Sequence, residues 1–281
     1  MRPSRTIIRS TVVLALLGML GALAPAASAQ SIWLDRADPK SLHVELAKPL
    51  FDGPSDGFFT FTGYFSTRLR LGEKLSFVGE LPVSTVSLKS SSPLVADESS
   101  TTIGNPYLGI ESHPEGGSGG WFELGVRVPL ASDEELATFT GIVTDNDRWE
   151  AFFPNTFVLR AAGHWRDDPR QGGVGADFRV APALWVSSDF ADDVEIFNTY
   201  GAQILFHSED ARAGLGLSGR WLMTDSGDFG ENSTHQFDAA VDFLHGRVRP
   251  GATLRIPLDD DSFVTSGLDA IVGVTLNIAL D

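Results

Sequence analysis

WFELGVRVPLASDEE, residues 121–135, opens as an alternation: Phe122, Leu124, Val126, Val128 and Leu130 fall on one face, and Glu123, Gly125 and Arg127 on the other. A period of two is that of a β-strand, whose successive side chains point to opposite sides. Two opposite charges sharing a face with a glycine describe either the wet side of a soluble sheet or the inside of a hollow one. The rest of the chain bears on that choice.

The alternation recurs from end to end. Leu42, Val44 and Leu46 oppose His43 and Glu45, and Phe59, Phe61, Phe65 and Leu69 oppose Thr60, Tyr64, Arg68 and Arg70. Leu75, Phe77, Leu81 and Val83 are set against Ser76 and Glu80. Further on, Phe157, Leu159 and Trp165 oppose Arg160, His164 and Arg166, while Val174, Phe178 and Val180 oppose Asp177 and Arg179. Ile196, Tyr200, Ile204 and Phe206 face away from Glu195, Thr199 and Gln203, and Leu215, Leu217 and Trp221 from Arg212, Ser218 and Arg220. Phe237, Val241 and Phe243 oppose Gln236, Asp238 and Asp242; Leu254 and Ile256 oppose Arg255; Val272, Val274 and Leu276 oppose Asp269 and Thr275. With a weaker segment over 103–111, the pattern predicts about twelve strands in an all-β chain. Short turns alternate with longer loops, so the expected path is an up-and-down antiparallel meander. An even strand number with turns of that kind is the layout of a transmembrane β-barrel.

Composition narrows the setting. Arg2, Arg5 and Arg9 precede an apolar run and an Ala27-Ser28-Ala29 exit, the plan of a secretory signal peptide over 1–29. The expected mature unit is then one outer-membrane barrel domain, 30–281. The formal net charge of −16 disfavours nucleic acid as a partner. The absence of cysteine excludes disulfides, thiolate metal sites and thiol nucleophiles. After the signal segment no apolar run reaches the roughly 18 residues of a membrane helix, but barrel strands need only about 9–11 alternating ones.

Parity then sorts the charges. The polar faces carry Arg68, Arg70, Arg127, Arg160, Arg166, Arg179, Arg212, Arg220 and Arg255, against Glu45, Glu80, Glu111, Glu123, Asp177, Glu195, Asp238, Asp242 and Asp269. No lysine is among them. Solvated sheet faces use lysine freely, whereas the planar guanidinium suits crowded pairing with carboxylates. A closed lumen is such a place. Arg68, Arg70, Glu80, Glu111, Glu123, Arg127, Arg160, Arg166, Asp177, Arg179, Glu195, Arg220, Asp238, Asp242 and Arg255 are therefore the candidate pore-lining residues. Aromatic residues near strand ends (Phe58, Phe59, Trp121, Phe122, Phe157, Trp165, Trp185, Phe206 and Phe243) read as the two lipid-facing girdles.

The longer loops are acidic and are expected to sit among outer-membrane lipid and lipopolysaccharide, holding divalent cations loosely. Asp145-Asn146-Asp147 and Asp259-Asp260-Asp261 are the densest cases, although neither continues as an EF-hand loop. In the loop after Leu130, Ser132 and Glu135 have the spacing of a capping box, and Leu136, Phe139, Thr140 and Val143 follow a helical period. That helix would cap the mouth, fold into the pore as a constriction, or pack on the surface.

Other motifs carry less. Gly214 to Gly219 spells G-x-G-x-x-G, but inside an alternating strand rather than between strand and helix, so small residues on a curved wall explain it. The six histidines lack zinc-ligand spacing, and no cofactor or structural metal is expected. Ser233 near His235 leaves open a lipid-modifying hydroxyl–imidazole pair.

The segment TIGNPYLGIES, 102–112, and the strand–loop junctions ELPVS, VRVPLAS and LRIPLDD resemble the porin-like proteins grouped with the phenol-degradation meta-pathway transporters. That resemblance implies passage of small, hydrophobic or aromatic solutes across the outer membrane. The C-terminal Leu276, Ile278 and Leu280 resemble a barrel assembly signal, but the chain ends in Asp281 rather than an aromatic. The resulting expectation is a non-enzymatic barrel for passive passage of small solutes through an Arg- and Asp/Glu-lined lumen. The alternatives are a plugged structural or adhesive barrel and a lipid-modifying enzyme.

Overall fold

The computed structural model describes residues 40–51, 58–88, 98–112, 118–167, 172–187, 194–259 and 268–280. The expected signal peptide and some of the acidic loop residues, Asp260 and Asp261 included, lie outside the described residues. Thirteen strand segments follow one another: β1 (Ser41–Phe51), β2 (Phe58–Arg70), β3 (Leu75–Leu88), β4 (Glu98–Ile103), β5 (Tyr107–Ser112), β6 (Gly119–Arg127), β7 (Thr156–Asp167), β8 (Gly173–Ser187), β9 (Val194–His207), β10 (Ala211–Leu222), β11 (Ser233–Phe243), β12 (Val248–Pro257) and β13 (Leu268–Ala279). β4 and β5 both pair with β3 and are separated only by residues 104–106, so they are two halves of one wall strand. Each strand pairs antiparallel with its sequence neighbours, and β1 pairs with both β2 and β13, which closes the ring. The result is a closed, antiparallel, up-and-down barrel of twelve strands.

On β2, Tyr64 is 0% exposed and its neighbour Phe65 47% exposed, and the same alternation runs around the wall. Glu45, Glu80, Glu111, Glu123, Arg127, Asp177 and Arg179 are all buried, whereas Leu42, Leu81, Ile110, Leu124, Phe178 and Val180 are exposed. A soluble sheet packs its apolar face inward. Here that face is outermost, where lipid covers it, and the charges are inside. Small residues let large ones lie flat against the wall. A Cβ at Gly125 would collide with the Tyr107 ring, and one at Gly219 would sit 2.7 Å from the Tyr200 hydroxyl oxygen.

Four expectations change. Trp121 and Trp185 are buried in the interior rather than standing in the lipid girdles, since Trp121 shares parity with Glu123 and Trp185 with Arg179. Phe122, Phe157, Trp165, Phe206 and Phe243 do stand exposed on the outside. Asp269 is exposed because the β1–β13 register skips it: Leu50 opposes Ala270 and Phe51 opposes Leu268. A bulge of this kind flips the parity of the residue it leaves unpaired. Finally, the strand of the opening stretch stops at Arg127, three residues before Leu130. Val128 still donates to the Pro106 carbonyl at 3.1 Å, but Pro129 has no N–H to continue the ladder.

Candidate functional site: the inward-folded insert

Between β6 and β7 the chain leaves the wall and enters the barrel. It forms a helix, α1 (Leu136–Thr144), and a 3₁₀ turn over Asn146–Ala151, which together contact β1, β2, β3, β4, β10 and β11. The buried residues of α1 are mostly small, Ala137, Thr138, Thr140, Gly141 and Thr144 with Val143, while Leu136 and Phe139 of the expected apolar face stay exposed. Small residues are what a helix needs to fit beside a sheet inside a ring, and a Cβ at Gly141 would run into the Phe152 ring. The expected capping box does not form. Glu135 is itself the N-cap, and its carboxylate accepts from the Ser100 hydroxyl of β4. Ser100 Oγ in turn accepts from the Ala137 N–H at 3.3 Å.

One side chain clasps both ends of the insert. Asn105, in the break between β4 and β5, donates from Nδ2 to the carbonyls of Glu150 (2.9 Å) and Phe153 (2.7 Å). Its Oδ1 accepts from the N–H groups of Leu130 (2.8 Å) and Ala131 (2.9 Å). The neighbouring Gly104 lies so close to Ala151 and Phe152 that a side chain there would strike both.

The 3₁₀ turn brings four charged residues to the middle of the lumen. Arg148 pairs with Glu45 of β1, with Glu80 of β3 (3.1 Å) and with Asp145, and its guanidinium lies 3.4 Å from the Tyr64 ring centroid. Asp145 also meets Arg255 at 3.3 Å, and Asp147 meets Arg179 at 3.1 Å. Glu150 is held by three wall guanidiniums: Arg160 at 2.6 Å, Arg220 at 3.3 Å and Arg127 at 3.6 Å. Burial pushes the Glu150 carboxyl up, but these three cations outweigh it and bring it down from 4.5 to about 2. Arg220 also stacks near Trp149, Trp185 and Phe197, with 4.5 Å to the Trp149 ring. Asp145 and Asp147, expected as loose cation ligands at the rim, are thus buried among arginines.

Toward the short turns the wall pairs with itself. Arg166 bonds Asp177, which also faces His164 at 3.3 Å, Arg68 meets Glu111 at 3.0 Å, and Arg212 meets Asp242 at 2.9 Å. A small recess at this end is lined by Arg166, Gln203, Leu205, Arg212 and Asp242, among others.

Solved structures share this architecture. The translocator domain of the autotransporter NalP from Neisseria meningitidis matches with TM-score 0.52 at 12% identity, covering 99% of this chain and 100% of that one. LpxR from Salmonella typhimurium matches with TM-score 0.50 at 10% identity, covering 85% and 100%. This is the fold of outer-membrane β-barrels. The KdgM porin aligns at TM-score 0.48 and 8% identity, over 86% of this chain and 99% of that one. No family model and no curated protein matches the sequence. The barrel is shown at the level of fold; the phenol-transporter resemblance is not confirmed.

Within this barrel, Arg68, Glu80, Glu111, Glu123, Arg127, Arg160, Arg166, Asp177, Arg179, Arg220, Asp238 and Arg255 of the sequence set are buried in the interior. Asp238 accepts from Ser218 at 2.8 Å and Gln236 at 2.9 Å, and Glu123 accepts from the Tyr107 hydroxyl. Three residues stand elsewhere. Arg70 has the inward parity but lies past the rim, exposed, donating to the carbonyls of Gly72 (2.9 Å) and Glu73 (3.1 Å). Glu195 is half-buried at the long-loop rim, accepting from the Thr224 hydroxyl, and Asp242 is half-buried at the short-turn rim. Parity missed Asn105, Asp145, Asp147, Arg148 and Glu150, because a loop has no period to read. The signal available was the apolar run Trp149, Ala151, Phe152 and Phe153, too greasy for an exposed connection.

On the outer face near the long loops, three polar side chains form a line. The Tyr200 hydroxyl lies 2.7 Å from Nε2 of His235, whose Nδ1 faces an Asp259 oxygen at 3.3 Å. Phe229 packs against Tyr200, Trp221 and His235, and the buried Ser233 hydroxyl shares the strand face of His235.

Proposed function

We propose that this chain is a gated channel for small solutes in the bacterial outer membrane, with 30–281 as the mature barrel and its acidic loops among lipopolysaccharide. The observation that carries the reading is the insert. A barrel of twelve strands is wider than side chains alone can fill. Here a separate piece of chain enters it, held by ion pairs as well as by apolar contacts. The insert meets the wall through two apolar clusters, Ala151 and Phe152 with Tyr64 and Trp149 and Phe153 with Trp185 and Phe197, and through ion pairs. Charged contacts can exchange with water and solute at far lower cost than an apolar core can open. The lining residues above are then the pore wall, and selectivity follows from rings of charge.

A lock tests this. The chain has no cysteine, and Asn146 Oδ1 of the insert accepts from Thr234 Oγ1 of β11 at 2.9 Å. Asn146→Cys with Thr234→Cys should tie the insert to the wall. In a planar bilayer the reduced double variant should give discrete current steps, which oxidation abolishes and reductant restores. A barrel that is silent in both states, and as wild type, is a sealed structural one.

A second reading is favoured by the Asp259–His235–Tyr200 line. A carboxylate that orients an imidazole, which in turn accepts from a hydroxyl, is the arrangement that activates hydroxyls for acyl transfer. It faces the lipid, so its substrate would be an acyl ester of the outer leaflet. Fatty acid released from lipopolysaccharide or phospholipid by wild type, and not by His235→Ala, would support the enzyme; no release from either removes it.

A further inference from the structure

We infer that the insert occupies the place of a carboxylate-bearing solute, and that the open lumen binds small organic anions at Arg160 and Arg220. This rests on the channel reading and names its substrate class.

Residues 145–150 bring three carboxylates, Asp145, Asp147 and Glu150, and one guanidinium, Arg148. The carboxylates meet wall arginines, and the guanidinium meets wall carboxylates. Withdrawing the insert therefore leaves the wall short of negative charge. Two of the partners it would abandon are retained by others: Glu80 stays with Arg127 at 2.6 Å, and Glu45 with Arg255. Arg160 and Arg220 are different. The carboxylate each one meets is Glu150, and their other hydrogen bonds go to the Thr199 hydroxyl and to the insert's own Asn146 carbonyl.

With the insert seated both guanidiniums are buried, at 3% and 2% exposure, and Glu150 is the carboxylate at ion-pair distance from each. Each also carries capacity that Glu150 leaves unused. Nη1 of Arg220 and Nε of Arg160 are buried without a hydrogen-bond partner. A carboxylate that is free to orient can satisfy both forks, whereas Glu150 is tethered through the carbonyl that Asn105 holds. Beside the forks, Trp185 and Phe197 pack at 4.4 Å between ring centroids and offer an apolar wall to the body of such an anion. The ligand chemistry is a small carboxylate on a ring or chain, and the insert is its built-in competitor.

The test uses benzoate as the probe and benzyl alcohol as its uncharged counterpart. In planar bilayers under a potassium chloride gradient, the charge-neutralised insert variant Asp145→Asn/Asp147→Asn/Glu150→Gln should stay open. Its reversal potential should be on the chloride side. Benzoate should block its chloride current, benzyl alcohol should not, and Arg160→Gln/Arg220→Gln on that background should weaken the block at least tenfold. A cation-selective open state, or equal block by benzyl alcohol, overturns the anion site while leaving the channel standing. A barrel that folds, shifts on heating in gels, and never conducts in any variant fails the channel reading itself.

Discussion

The two ends of the lumen use the same residue types for opposite purposes. Near the short turns, Arg166 with Asp177, Arg68 with Glu111, and Arg212 with Asp242 join strand to strand. Both partners there belong to the wall, and the pairs hold the ring whatever happens inside it. At mid-height, one partner of the pairs at Glu150, Asp147 and Arg148 belongs to the insert. Those pairs hold a piece that is not part of the wall. An ion pair is thus a rivet or a latch according to which chain segment carries its second half.

The strongest way to break the comparison is at Arg148. Arg148→Ala strands Glu45, Glu80 and Asp145 with one cation fewer in a buried site, which costs about 3–5 kcal/mol for a broken buried pair. We expect the insert to leave the lumen, seen as continuous conductance and as protease cleavage within residues 132–155. Asp177→Asn is the matched change at the other end. It should lower the melting temperature by weakening the hold on Arg166, by about 2–3 kcal/mol, with no change in open probability. If Asp177→Asn also opened the channel, the distinction between rivets and latches would collapse.

Asn105→Ala sharpens the latch side. It removes four side-chain hydrogen bonds to the insert's two ends, of which water replaces part, so we expect about 2 kcal/mol and partial opening, intermediate between wild type and Arg148→Ala. The smallest effect is acid. The docked Glu150 carboxyl titrates near 2 and an undocked one near 4.5, so its contribution to docking is complete above pH 4.5 and fades as pH falls toward 2. Open probability should rise over that window, and Glu150→Gln should flatten the rise.

The wall was legible because its chemistry has a period. Tyr64 with Phe65, or Glu123 with Leu124, declares both a strand and its two environments, and parity alone placed most of the buried arginines. Parity failed where the backbone broke it. The bulge at Asp269 and the early end of β6 leave no local mark in composition. The insert was harder, since Asp145-Asn146-Asp147-Arg148 has the same letters whether it meets water or guanidiniums. What separates those cases is a partner far away in sequence, 103 residues for Arg148 and Glu45, and a loop carries no pattern that points to it.

The cluster around Glu45 also bears on how the molecule is put together. Glu45 stands on β1, Arg255 on β12 beside the closing strand, and Arg148 comes from the middle of the chain. Its three contributors meet only when β1 and β13 pair and the ring is complete. Until then the growing sheet carries mid-wall charges whose counter-ions have not arrived. Closing the ring and seating the insert therefore complete one and the same charge cluster.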